Sequence, residues 1–155
     1  QFGTPIYYRP HLERFPERTA AVLAAIANAT PGGVAFHCGG GRDRAGQITM
    51  VLLALLGVAP RDIAADYMLS YERLPARYAA RGEPDQGPLL KAFLADRGTT
   101  ASDIIIDTLE SLGVEAQVRT GGLTDQDVIT LRDRVLGPAT GAAAGGGFIA
   151  LRPCR

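Results

Sequence analysis

The chain has 155 residues, of which 46% are hydrophobic, so it is long enough for one domain with a single core. Sixteen basic residues balance sixteen acidic ones, and this neutral balance excludes a field that would favour nucleic acid or an anionic membrane surface. Two distant cysteines and the absence of an apolar run of about 18 residues argue against a disulfide framework and a membrane span. A cytoplasmic location is therefore expected.

The N-terminal quarter is predicted to contain an irregular lead-in, one helix and one strand. Residues 1–12 carry two prolines and are expected to be irregular. Pro16 fits the first turn of a helix, and apolar residues at helical spacing continue the pattern to Asn28. The β-competent run Val34-Ala35-Phe36 follows a turn signal and predicts a strand.

Helices are expected to dominate after this strand. Residues 45–56 are apolar nearly all round and predict a buried central helix that ends at Gly57. Pro60 is expected to open another short helix. Residues 71–84 contain aromatic and basic side chains and a proline, and they are either a solvated connector or a lid over a nearby anion site.

The C-terminal half is predicted to contain three further helices between residues 89 and 137. The last of them is predicted to begin at Thr124-Asp125-Gln126-Asp127, a capping pattern that precedes apolar residues at helical spacing. One domain is therefore predicted over residues 1–138.

Residues 139–155 are predicted to form a low-complexity linker and a short C-terminal segment. The first part contains only Ala, Gly and Thr and is too poor in bulky side chains to pack. Phe148–Leu151 could add a short strand. Cys154 is expected to be an inert thiol and not a redox partner of Cys38.

The chemistry of the chain is concentrated in His37-Cys38-Gly39-Gly40-Gly41-Arg42-Asp43-Arg44-Ala45-Gly46, between the predicted strand and the central helix. A loop at this place presents backbone N–H groups and a positive helix end to an anion. A nucleotide-binding P-loop would require Lys and then Ser or Thr where Gln47 and Ile48 stand. A dinucleotide fingerprint would require glycine at Arg44. Neither pattern fits.

The remaining pattern is a cysteine, five residues and an arginine, from Cys38 to Arg44, which we call the phosphate loop. A thiolate at Cys38 can attack a phosphorus atom held by the loop N–H groups, while the guanidinium of Arg44 holds two phosphate oxygens. Loop N–H groups, a helix N-terminus and neighbouring arginines should lower the pKa of Cys38 below neutrality. His37 is expected to orient the loop through hydrogen bonds.

This stretch resembles the active-site loop of the cysteine-dependent protein tyrosine phosphatase superfamily, in particular the bacterial branch whose loop reads His-Cys-x-x-Gly-Lys-Asp-Arg-Thr-Gly. The resemblance covers residues 7–75 well and the rest loosely. Arg42 replaces the usual Lys and keeps the charge, whereas Ala45 replaces the usual Thr or Ser and removes a hydroxyl. The resemblance implies an α/β fold, a parallel sheet flanked by helices with a helix-rich C-terminal half.

The resembled family also carries strands and an acidic loop ahead of the region that aligns here. Because the first residue is Gln and residues 1–36 contain no Asp, the chain is expected to lack an N-terminal portion. The general acid is then uncertain between two interpretations of Asp43. Some phosphoinositide phosphatases of the superfamily place an Asp at this position, where it has been considered as the acid, but Asp43 could equally stabilise the loop by accepting N–H bonds.

The expected site residues are therefore of three kinds: the catalytic Cys38, Arg44 and Asp43; the phosphate-binding Gly39, Gly40, Gly41, Arg42, Asp43 and Arg44; and the supporting His37 and Ala45. No metal ion or cofactor is expected. The predicted activity is hydrolysis of phosphate monoesters, above all protein phosphotyrosine, through a phosphocysteine. The alternatives are a phosphoinositide or small phosphate-ester phosphatase, or a phosphate-binding pseudo-phosphatase that does not turn over.

Overall fold

The computed structural model describes residues 3–137, and within this range the chain is helical without a β-strand. A 3-10 helix, Pro5–Tyr7, leads directly into the first α-helix. The α-helices are α1 Tyr8–Arg14, α2 Pro16–Ala27, α3 Arg44–Leu55, α4 Pro60–Arg81, α5 Gly87–Ala95, α6 Ala101–Ser111, α7 Val114–Thr120 and α8 Asp125–Leu136. The predicted segment Phe148–Leu151 and Cys154 lie outside the described residues.

The predicted α/β class with a parallel sheet is wrong for the described part of the chain, and the predicted strand Val34-Ala35-Phe36 does not form. Val34 and Phe36 are half-buried and pack against the core, while Ala35 between them is exposed. The alternation that predicted a strand is thus present. A strand also needs a neighbour to pair its N–H and C=O groups, and residues 3–137 supply none.

The central helix predicted after the phosphate loop is confirmed as α3. It packs against α2, α4 and α7, and its Met50, Val51 and Leu55 are almost completely buried. Removing side chains of this size from water stabilises a fold by roughly 1.5–3 kcal/mol each. Since α3 begins at Arg44, this packing fixes the position of the loop that precedes it.

The structure corrects the expectation of a short helix after Pro60. Helix α4 runs unbroken to Arg81 with Pro75 inside it, and it ends at Gly82 in the left-handed conformation. An internal proline costs a helix about 3 kcal/mol. The cost is offset here by tertiary contacts on both sides of the proline. Before it, α4 buries large side chains, namely Ile63, Tyr67, Tyr71 and Leu74, and after it Arg77 donates a hydrogen bond to the Gly39 carbonyl.

The irregular lead-in predicted for residues 1–12 is also wrong, since Pro5–Tyr7 and α1 are helical and Tyr8 and Leu12 are fully buried. Helix α7 was not predicted. The capping pattern at the start of α8 is confirmed, because the Asp127 N–H donates to the Thr124 hydroxyl and the Asp127 carboxylate accepts the Thr124 N–H, each at 3.1 Å. None of the helices in the described range is both long and apolar enough to cross a membrane.

Candidate active site

The phosphate loop wraps its backbone around the sulfur of Cys38 at the N-terminus of α3. Burial of the thiol, the largest single influence, would by itself raise the pKa of Cys38. Hydrogen bonds to the sulfur from the backbone N–H groups of Ala45, Gly41, Gly40 and Arg44 outweigh it, so the pKa is lowered. The sequence predicted a lowered pKa for Cys38, and these hydrogen bonds shift the pKa in that direction. The thiolate is the form that acts as a nucleophile.

Arg44 is the first residue of α3, and its side chain is exposed. No acidic side chain in the described range forms an ion pair with its guanidinium. A guanidinium presents its donors in a planar fork that matches two oxygens of a phosphate. The structure therefore leaves this two-point anion donor accessible, on the residue with which the phosphate loop ends and α3 begins.

Asp43 occupies the N-cap position of α3 without a side-chain capping hydrogen bond, and it connects the phosphate loop to the N-terminal segment. Its Oδ2 atom accepts the Gly3 N–H at 3.1 Å, and its backbone carbonyl accepts the Tyr8 hydroxyl at 2.7 Å. Its Oδ1 atom is buried, and burial together with a hydrogen bond to the Asp43 carboxylate raises the pKa of Tyr7 well above its ordinary value. The contacts of Oδ2 and of the backbone carbonyl are those expected if Asp43 stabilises the loop.

Arg42 directs its side chain away from the solvent and against α4. It is only 5% exposed, and its guanidinium carbon lies 5.2 Å from the centre of the Tyr71 ring. The Nζ atom of Lys91 lies 5.5 Å from the centre of the same ring. Burying a cation costs free energy because the cation loses its hydration. Contact with the face of an aromatic ring offsets part of this cost. Arg42 thus has a structural contact, because it connects the phosphate loop to α4, as well as the positive charge noted from the sequence.

The other predicted loop residues differ in how the structure holds them. The Nδ1 atom of the exposed His37 lies 3.4 Å from the Cys38 carbonyl oxygen, which is consistent with the expected orienting role. Gly41 has a φ of 79°, a left-handed conformation that glycine adopts without strain. Gly39 and Gly40 are exposed.

Three residues that the sequence did not single out contribute to the site. Tyr8 contacts the carbonyl of Asp43, and Arg77 on α4 donates from Nη2 to the Gly39 carbonyl at 2.7 Å. A Cβ added to Gly46 would lie 2.8 Å from the Tyr8 hydroxyl, so only glycine allows this close approach. Arg77 lies in residues 71–84, for which a lid was one of the two interpretations. No local pattern indicated the roles of Tyr8 and Gly46.

Comparison with known proteins gives one match over most of the chain and one over a part. Residues 4–137 match the model of the Tyrosine phosphatase family. A stretch of 61 residues is 43% identical to a Cupriavidus necator protein that is provisionally named a tyrosine-protein phosphatase. This stretch is 38% of the present chain and 22% of that relative, so the chain spans about a fifth of the relative's length.

No solved structure matches the chain significantly. The family match nevertheless extends through all eight of the helices described above, from the residue before the 3-10 helix to the residue after α8. The resemblance predicted from the loop is thereby confirmed at the level of the family. The chain belongs to the tyrosine phosphatase family.

Proposed function

We propose that this chain hydrolyses phosphate monoesters, with protein phosphotyrosine as the substrate, through a phosphocysteine intermediate. The observation that carries the proposal is the Cys38 sulfur surrounded by four backbone N–H donors, one of which belongs to Arg44, whose side chain is exposed. The donors that stabilise a thiolate can also hold the oxygens of a phosphoryl group. Family membership supports the same class of reaction.

In the first step, Sγ of Cys38 attacks phosphorus, an S–P bond forms and the P–O bond to the leaving group breaks. The leaving oxygen takes a proton, for which the Asp43 carboxyl group is the candidate donor. In the second step, a water molecule attacks phosphorus and gives a proton to the Asp43 carboxylate, the P–S bond breaks, and inorganic phosphate leaves with the thiolate restored. Arg44 and the loop N–H groups stabilise the negative charge on the phosphoryl oxygens in both steps.

Turnover of p-nitrophenyl phosphate by the purified chain in the presence of a chelator tests this proposal. The parent should release nitrophenol, and Cys38→Ser should not, because a serine hydroxyl in the same place is a poor nucleophile. The Ser variant should still bind inorganic phosphate, since the N–H donors and Arg44 remain. Equal turnover by the two proteins would exclude the covalent mechanism, and phosphate binding without any turnover by the parent would favour the pseudo-phosphatase alternative.

The choice between protein and lipid substrates needs a separate comparison. Phosphotyrosine peptides and short-chain phosphoinositides would be offered to the same preparation at equal concentrations. The proposal expects a higher kcat/KM for the peptides, as membership of the tyrosine phosphatase family implies. A higher kcat/KM for the phosphoinositides would move the assignment to that alternative.

A further inference from the structure

We propose that Arg77 of α4 is a positioning residue for the phosphate loop. Arg77 holds the Gly39 carbonyl so that the Gly40 N–H points at the Cys38 sulfur. Its Nη2 atom donates to the carbonyl oxygen at 2.7 Å, from a helix 38 residues further along the chain. The inference rests on the proposed function only in taking this loop as the active site. Its test requires no turnover.

The argument depends on the geometry of a single peptide unit. The Gly39 carbonyl and the Gly40 N–H belong to one planar group, and in a trans peptide these two bonds point in opposite directions. No peptide bond in the described range is cis. Fixing the carbonyl on the side of α4 therefore turns the Gly40 N–H to the opposite side, where it donates to the Cys38 sulfur.

This peptide unit has little else to hold it. Gly39 and Gly40 are exposed, and a Cβ placed on either would meet no other atom within 4 Å, so packing does not fix their orientation. Glycine reaches positive and negative φ about equally, and three in succession allow the loop to reverse a peptide plane. Arg77 provides the only hydrogen bond to the Gly39 carbonyl from residues 3–137.

The other end of the loop is held in the same manner. The Tyr8 hydroxyl donates to the Asp43 carbonyl, and the N–H of the same peptide unit, which belongs to Arg44, donates to the Cys38 sulfur. Two side chains from separate helices thus hold two carbonyls whose N–H partners face the sulfur. Tyr8 is buried in the core, whereas Arg77 is half-exposed, so Arg77 can be replaced with less disturbance of the fold.

The experiment measures the rate of Cys38 alkylation by iodoacetamide as a function of pH, because only the thiolate reacts. The whole chain is used, and modification is followed by mass spectrometry on the peptide that contains Cys38, so that Cys154 does not contribute. Arg77→Met removes the hydrogen bond. Arg73→Met is the matched control, since Arg73 lies one turn earlier on α4, is exposed and makes no hydrogen bond to a described residue.

Arg77→Met should move the alkylation profile to higher pH and slow alkylation at neutral pH by roughly three- to tenfold, the effect of weakening one hydrogen bond to a charged sulfur. Arg73→Met should leave the profile unchanged. Arg77→Lys should lie between Arg77→Met and the parent, because an ammonium can donate to the carbonyl but lacks the same reach. If Arg77→Met lowers the melting temperature, Arg77→Leu, which also has no donor, replaces it with the same expected shift.

Coincident profiles for the parent and the folded Arg77 variants would overturn the proposal. An equal shift in Arg73→Met would also overturn it, by assigning the effect to the loss of positive charge from α4. The proposed function fails by a different result, the lack of phosphate-ester turnover by the parent. A shifted alkylation profile in a chain without turnover would keep Arg77 as a positioning residue.

Discussion

The hydroxyl of Tyr8 donates a hydrogen bond to the carbonyl oxygen of Asp43 at 2.7 Å, across 35 residues of sequence. Burial is the main cause that raises the pKa of Tyr8 far above its ordinary value, so the hydroxyl keeps its proton and remains a donor. The same hydroxyl lies 3.3 Å from the carbonyl oxygen of Arg42. Helix α1 therefore holds the phosphate loop where the loop enters α3.

This contact depends on the absence of a side chain at Gly46. In Gly46→Ala, the new Cβ would lie 2.8 Å from the Tyr8 hydroxyl and 3.0 Å from the Tyr67 ring, both in the core. We expect the free energy of unfolding to fall by about 1–3 kcal/mol, as for other overpacked sites, and activity to fall because the Tyr8 contact is displaced. Urea denaturation measures the first effect.

Gly33→Ala is the matched control for Gly46→Ala. A Cβ at Gly33 meets nothing within 4 Å, and its backbone does not require glycine. This variant should unfold at the same urea concentration as the parent. If the two alanine variants were equally stable, the close approach of Tyr8 to α3 would not be a constraint on the sequence.

The candidate site could be proposed from the sequence because its residues lie in one continuous stretch. The spacing between Cys38 and Arg44 specifies a thiol, loop N–H groups and a guanidinium without knowledge of the rest of the fold. The contacts of Tyr8 and Arg77 with this stretch were not predictable, since they join residues 35 and 38 positions apart. The local periodicity of a sequence does not indicate contacts between residues so far apart.

The fold was less predictable, for two physical reasons. A strand is defined by its partner, so the alternation at Val34-Ala35-Phe36 was necessary for a strand but not sufficient. In α4, the local preference of Pro75 to end a helix is overridden by tertiary contacts, namely the burial of Tyr71 and Leu74 before it and the hydrogen bond of Arg77 after it. Both errors have the same cause, because a local sequence signal was used where tertiary contacts determine the structure. The strand lacks such a contact, and helix α4 has it.

Arg44→Lys should retain the charge at the phosphate loop and lose most of the activity. An ammonium is a single point donor and cannot hold two phosphate oxygens in a fork. We expect kcat/KM to fall by about ten- to a hundredfold, the equivalent of one charged hydrogen bond. Steady-state kinetics with an aryl phosphate measure it, with Arg73→Lys as a control on the exposed surface of α4. Unchanged constants in Arg44→Lys would remove Arg44 from the site.

Asp43→Asn separates the two interpretations of Asp43. An asparagine retains one acceptor oxygen, so the hydrogen bond from the Gly3 N–H can survive while the acidic proton is lost. If Asp43 is the general acid, the variant should be slow on an alkyl phosphate and nearly normal on an activated aryl phosphate, whose leaving group needs no proton. Kinetics on both substrates, with melting temperatures, distinguish the cases. An equal loss on both substrates with a lower melting temperature would indicate a structural role.

Ala45 offers a test of the second chemical step. The resembled family has a hydroxyl here that can bond the cysteine sulfur and stabilise it as it leaves phosphorus. In this chain the Ala45 N–H donates to the Cys38 sulfur, but the side chain is a buried methyl group with no donor. Hydrolysis of the phosphocysteine should therefore be the slower step, and the parent should show a burst of product followed by a slow steady state.

Ala45→Thr should speed the steady state by about ten- to a hundredfold and reduce the burst, since a hydroxyl bond to a charged sulfur contributes roughly 1.5–3 kcal/mol. Ala45→Val is the matched control, because valine has the shape of threonine without the hydroxyl and reports any effect of added bulk at this buried position. Rapid-quench measurements on the three proteins give the burst and the steady-state rate. Equal steady-state rates in the Thr and Val variants, or a parent without a burst, would place the slow step elsewhere.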